Sequence, residues 1–175
     1  MELTIRPAQT GEFLRVQTFY YDLIDDMQAS EYHPMWQKGV YPTNEALTGA
    51  IGRGELYVTE LEGRIIGAMI VNHSATDGYE TVQWPTEAEP AEVTLIHALG
   101  VSPAMSRQGV ASAMVREVKR IARAGGSKVI RLDVLEGNLP AERLYRGEGF
   151  RFVKKLSLFY PDTGWCSFDL YEFAL

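Results

Sequence analysis

The sequence predicts one α/β domain over residues 1–175, built on a sheet of mixed strand directions. Three observations carry that expectation. Strand-like and helix-like periodicities alternate along the chain instead of separating into blocks. The short Leu61-Glu62-Gly63 turn divides two apolar strand-like segments, which is the pattern of an antiparallel hairpin. Farther on, Val93–Val101 and Val129–Leu135 flank the helical stretch Val110–Ala124, so strand directions in the sheet are mixed. The length suits a single compact domain.

In order, Leu3 and Ile5 before Pro7 read as a short opening strand. Phe13, Val16, Tyr20, Leu23, Ile24 and Met27 then recur at helical spacing after a Thr10-Gly11 start. The stretch Ser30–Pro42, with Tyr32, His33, Pro34, Trp36 and Tyr41, is irregular and reads as a loop. Thr43 is placed to cap a second helix carrying Leu47, Ala50 and Ile51, with Glu45 in the first turn where the dipole favours a carboxylate; Gly52 and Gly54 end it. Glu55–Glu60 and Arg64–His73 form the hairpin strands. Ser74–Ala91, punctuated by Asp77-Gly78, Pro85 and Pro90, is a long connection of the kind that often lines a site. The helix after Val93–Val101 gathers Val110, Met114, Val118, Ile121 and Ala122 on one face and stops at Gly125-Gly126. Val129–Leu135 alternates as a strand, and Pro140–Arg146 is a short helix with proline in its first turn. Phe150–Leu158 and Cys166–Ala174 are closing strands.

Composition narrows the function. With 46% hydrophobic and 23% charged residues the chain has the balance of a folded, water-soluble domain. A formal charge of -6 repels a polyphosphate backbone, so nucleic acid is not an expected partner. Apolar runs such as Ala68–Val71 fall far short of the roughly 20 residues that cross a bilayer, so no membrane partner is expected either. The lone Cys166 cannot form an internal disulfide, and no basic-then-apolar segment follows Met1; a reducing, cytoplasmic setting is expected.

Two blocks carry chemistry. In the first, Leu99-Gly100-Val101-Ser102-Pro103 ends a strand and Ser106-Arg107-Gln108-Gly109-Val110-Ala111-Ser112 opens a helix. The first helical N–H groups lack partners and sit at the positive end of the dipole, so a phosphate can satisfy several at once. Small Gly109 and Ala111 let it approach the backbone. Alone, such a turn reads as a plain strand-to-helix connection. Val101, Pro103, Gly109 and Ala111 nevertheless match the coenzyme A motif of the GNAT superfamily of N-acetyltransferases, which this block resembles. Ser106 departs from it, standing where the family usually has arginine or glutamine, and Arg107 comes one residue later; Arg107 either contacts a phosphate or faces solvent.

The second block, Asn138-Leu139-Pro140-Ala141-Glu142-Arg143-Leu144-Tyr145 running on to Gly149-Phe150, resembles the superfamily's other signature and is the more specific of the two. The resemblance implies a mixed, largely antiparallel twisted sheet of six to seven strands flanked by about four helices, splayed at its central strands. It implies acetyl-CoA as co-substrate, no metal, and direct attack by a primary amine of a small molecule or peptide within a ternary complex. A homodimer is compatible with the family.

By the same resemblance Leu99, Gly100, Val101, Arg107, Gln108, Gly109, Val110, Ala111, Ser112 and Asn138 bind the cofactor. Backbone groups of Leu99 and Val101 would pair with pantetheine or hold the acetyl oxygen, and Asn138 would bond the pantetheine arm or cap its helix. Tyr145 is implied as the acid that protonates the leaving sulfur; its ordinary pKa of about 10 keeps the proton on at neutral pH. The alternative for Tyr145 is packing. Ile96-His97-Ala98-Leu99-Gly100-Val101 looks like the matching strand of arylalkylamine N-acetyltransferases, which makes His97 the candidate base. Leu95 replaces a second histidine there, and a structural histidine is the other reading. Tyr20, Tyr32, Trp36, Tyr41 and Trp84 fall in the acceptor-shaping segments. Tyr20 is assigned to the core, while Tyr32, Trp36 and Trp84 are candidates for binding an amine. Two rival classes stand beside the enzyme: a non-catalytic acyl-CoA-sensing module of the same fold, and a nucleotide-binding domain of another fold.

Overall fold

The computed structural model describes residues 2–32 and 34–175; Met1 and His33, the latter part of the aromatic loop noted above, lie outside the described residues. The chain runs β1 (Thr4–Pro7), α1 (Phe13–Met27), α2 (Asn44–Gly52), β2 (Leu56–Leu61), β3 (Arg64–Asn72), β4 (Val93–Val101), α3 (Val110–Ala124), β5 (Val129–Leu135), α4 (Leu139–Gly147), β6 (Arg151–Tyr160) and β7 (Gly164–Ala174). All seven strands join one sheet in the order β1-β2-β3-β4-β5-β7-β6. Among the described residues only β4 and β5 pair in parallel.

Both faces of the sheet are covered, which explains why β3 reads as an unbroken apolar run instead of alternating. On one face Val16, Tyr20 and Leu23 of α1 and Leu47 and Ile51 of α2 pack against Val58, Ala68 and Ile70. On the other, Met114, Val115 and Val118 of α3 and Tyr145 of α4 pack against Met69, Ile130 and Leu132. The predicted faces of α2 and α3 are the buried ones, except that Val115 takes an inward position where Ile121 was expected; in α1, Phe19 joins the buried Val16, Tyr20, Leu23 and Ile24, while Phe13 and Met27 are half-buried. Thr43 caps α2 as its residue type predicts, its hydroxyl accepting from the Ala46 N–H at 3.0 Å. Glu12, not Thr10-Gly11, occupies the N-cap of α1, and its side chain binds Arg6 instead of the helix end.

Two departures position the site. The parallel pairing of β4 with β5 stops at Leu95 and Arg131, although β4 continues to Val101 and β5 to Leu135, so the strands part and leave a cleft. Within the parted half of β4 a bulge interrupts its register with β3, and Ala98 there adopts φ +49. The long connection, expected to be irregular, carries 3₁₀ turns at Tyr79–Thr81 and Pro90–Glu92. The closing hairpin extends two residues beyond the predicted Leu158, to Tyr160, and its tip returns over the cleft.

Candidate active site

The cleft opens into a cavity of about 140 Å³ that gathers residues from the parted strands, the start of α4, the loop after α1 and the tip of the β6–β7 hairpin. His97, Leu99, Asn138 and Tyr145, drawn from both sequence blocks, all line it. Trp36 lines it too. Tyr32 and Trp84 do not: Tyr32 is exposed on its loop, and Trp84 lies over the Arg131 guanidinium with its indole N–H donating to the Tyr79 carbonyl. Tyr20 is in the core, as assigned, and its hydroxyl donates to the bulged Ala98 carbonyl at 2.8 Å.

Tyr145 points inward from α4 because its ring packs edge-on against Phe150 at 5.5 Å, within the cluster under α3. Burial above all, and then the nearby Asp133 carboxylate, push its phenol well above the usual tyrosine range. The group therefore holds its proton throughout the neutral range.

His97 is fixed by its neighbours. Its Nε2 lies 3.0 Å from the Ser74 carbonyl and 3.2 Å from Asn72 Oδ1, and Asn72 Oδ1 accepts from the Ser74 N–H. Both partners of Nε2 are acceptors, so Nε2 carries the hydrogen and the lone pair resides on Nδ1. Burial lowers the ring's pKa, opposed by Asp133 and by the Ser74 carbonyl, so the imidazole is neutral at pH 7 with its basic nitrogen available.

Sequence reasoning missed Asp133. Its Oδ2 accepts from the Tyr79 hydroxyl at 2.6 Å and from the Tyr160 hydroxyl at 2.9 Å, and Tyr160 is in turn 3.0 Å from Thr76 Oγ1. Burial raises the carboxyl's pKa, while the two phenols, and next His97, favour its ionised form. A signal was present: Arg131 and Asp133 are charges on an otherwise apolar strand, Val129–Leu135. Arg131 is accounted for by a buried pair with Glu172 at 3.0 Å and by the Thr86 carbonyl at 2.7 Å, leaving Asp133 for the site. At the end of the long connection, Glu89 and Glu92 form the capping box of its second 3₁₀ turn, and Glu92 also pairs with Lys128, so neither faces the site.

The cofactor side is built from backbone. Arg107 and Gly109 both take positive φ, +61 and +78, which turns the chain sharply into α3. No side chain caps that helix and its first turn holds no acid, so the leading N–H groups of α3 remain for an anion. A Cβ at Gly109 would meet nothing within 4 Å, so the backbone there is open to approach. Arg107 is exposed, Gln108 Nε2 donates to the Ala104 carbonyl at 3.3 Å, and Val110 is buried as the helix's first anchor. Beyond Leu95, β4 presents its backbone toward the cleft with no strand beside it, an edge suited to the amides of an extended pantetheine arm. The arrangement fits coenzyme A. Asn138, at the cavity, also accepts from the Ala141 N–H at 3.4 Å, so its oxygen caps α4.

The likeness to solved structures spans the whole fold. An acetyltransferase of the GNAT family from Streptococcus agalactiae superposes with a TM-score of 0.79 at 15% identity, covering 99% of this chain and 95% of that one. One from Listeria monocytogenes gives 0.76 at 23% identity, covering 100% and 96%. The Salmonella typhimurium protein yncA, solved with its cofactor acetyl-CoA, gives 0.71 at 15% identity, covering 100% and 95%. No curated protein matches in sequence. The profile of the Acetyltransferase (GNAT) family matches residues 21–150, which include both sequence blocks and the cleft between the parted strands, and the chain therefore belongs to the GNAT family of acetyltransferases.

Proposed function

We propose that residues 1–175 form a single GNAT domain that transfers the acetyl group of acetyl-CoA to a primary amine of a small molecule or peptide, by direct attack within a ternary complex. The observation that carries this reading is the convergence of Tyr145, His97 and the free edge of β4 on one cavity at the strand splay. The leading N–H groups of α3 receive the diphosphate, and the β4 edge from Leu99 to Val101 aligns the pantetheine arm so that the thioester enters the cavity.

His97 Nδ1 accepts the proton that the acceptor ammonium loses, directly or through water. The amine nitrogen bonds to the thioester carbon, and a β4 backbone N–H holds the oxygen as it becomes negative. As the carbon–sulfur bond breaks, the Tyr145 hydroxyl gives its proton to the departing sulfur. Trp36 forms part of the acceptor's apolar wall. The cytoplasm is the proposed setting; among the described residues no helix is long and apolar enough to cross a membrane.

Thiol release from acetyl-CoA in the presence of a panel of amines tests the reading. Amine-dependent release supports it. Binding of coenzyme A without release for any amine would favour the sensing module, and stabilisation by ATP or NAD but not coenzyme A would favour the other nucleotide-binding class.

A further inference from the structure

The cavity's charge is unbalanced. Asp133 and Asp162 both line it, whereas among the described lining residues there is no lysine or arginine. Asp133 is held by the hydroxyls of Tyr79 and Tyr160 alone, and Oδ1 of Asp162 is buried without a hydrogen-bond partner. A carboxylate oxygen withdrawn from water without a cation is costly, so the buried Asp133 and the half-buried Asp162 facing one space favour a ligand that brings positive charge. The wall between them is aromatic: Trp36 and Tyr41 lie 5.9 Å apart, and Tyr41 meets Tyr160 edge-on at 5.4 Å. Ring faces of this kind attract ammonium and guanidinium groups while shedding water from an alkyl chain.

The carboxylates occupy different parts of the cavity. Asp133 stands on β5 beside the reacting groups, and its charge is felt by both Tyr145 and His97. Asp162 sits at the tip of the β6–β7 hairpin, next to Tyr41 and tied to the loop after α1 through its carbonyl, which accepts from Gln37 Nε2 at 2.9 Å. Building on the acetyltransfer reading above, we propose that the acceptor is a short aliphatic dication, a diamine or an amino-guanidine, with its reacting nitrogen received at Asp133 and its second cation at Asp162. In the reaction the ammonium loses one proton to His97 and a second as the amide forms, one of them replacing the Tyr145 proton passed to sulfur; the products are a neutral amide, coenzyme A thiol and one released proton. The acetylated product keeps a single cation. It binds the paired carboxylates less tightly than the substrate, so the enzyme stops at monoacetylation.

The test compares thiol release with 1,4-diaminobutane and with n-pentylamine, a monocation of similar length. A kcat/KM at least about tenfold higher for the diamine is expected, the scale of one charged hydrogen bond. Asp162→Asn, a substitution that a turn accepts, is expected to bring that ratio close to one. Equal or faster turnover of n-pentylamine, or a ratio that Asp162→Asn leaves intact, overturns the dication and leaves acetyltransfer standing. If neither amine releases thiol, the acetyltransfer reading is in question. Calorimetry of 1,4-diaminobutane with the coenzyme A-saturated protein then decides: heat lost in Asp162→Asn supports the site, and absence of heat in the wild-type protein overturns it.

Discussion

Leu95 and Arg131 are the last residues that β4 and β5 hold in parallel register, and everything assigned to catalysis lies beyond that pair. Arg131 is also locked from the side, by Glu172 and by the carbonyl of Thr86 from the long connection. The point where the sheet opens is thus tied to the segment that delivers Tyr79 to Asp133.

Removing that tie should be costly. Arg131→Ala leaves Glu172 buried without its partner, and breaking a buried pair from one side costs about 3–5 kcal/mol. Urea denaturation of wild-type and variant proteins checks the difference; a loss below about 1 kcal/mol would show that the pair does not hold the opening.

Tyr145→Phe keeps the ring that packs on Phe150 and deletes only the proposed acid. The expected result is a fall in kcat of about 100-fold or more with folding intact, within the range for general acid catalysis. Steady-state thiol release measures it, and full turnover in the variant at every pH would remove the assignment.

The bend into α3 depends on glycine. Gly109 has φ +78 with open space around its Cα, so Gly109→Ala costs conformational energy of about 1–2 kcal/mol with no steric clash. A fall in Tm of a few degrees, about 2–4 °C per kcal/mol at this size, is expected together with weaker coenzyme A binding. Thermal melts with and without coenzyme A separate the two effects.

Gly100 is constrained for the opposite reason. A Cβ there would lie 2.4 Å from Leu23 Cδ2 and 3.3 Å from the Trp36 ring, so Gly100→Ala must shift the Leu23 side chain and crowd the Trp36 wall of the cavity. Destabilisation of about 1–3 kcal/mol is expected from such overpacking, with an altered KM for the amine. Denaturant titration and acceptor kinetics read the two consequences.

The pH profile tests His97. Burial holds its folded-state pKa below the ordinary value of about 6.5, so the unfolded chain takes up the proton first. The neutral ring's contribution to stability is present above pH 6.5 or so and is lost as pH falls through the folded-state value. The acidic limb of kcat/KM should likewise lie below pH 6.5 or so, and His97→Gln should remove it. A limb unchanged in the variant would assign the base to another group.

Much of this was legible along the chain. Short-range rules placed the hairpin, the cap at Thr43 and the turn into α3, because each is a property of neighbouring residues. The Asn138–Tyr145 block fixed the fourth helix for the same reason. Asp133 escaped because its partners, Tyr79 and Tyr160, come from segments far away in the chain, and no local pattern announces that three such side chains will meet. The bulge at Ala98 escaped because alanine carries no preference for positive φ; the conformation is imposed by the packing around β4. Trp84 looked like a cation-binding ring and does meet a cation, but that cation is the protein's own Arg131.

The most direct test of the account is a structure of the protein bound to coenzyme A. The diphosphate should lie against the N–H groups of Gly109 to Ser112, the pantetheine arm along β4 from Leu99 to Val101, and the sulfur beside the Tyr145 hydroxyl. A cofactor bound outside the opening between β4 and β5, or a sulfur out of reach of Tyr145, would contradict it.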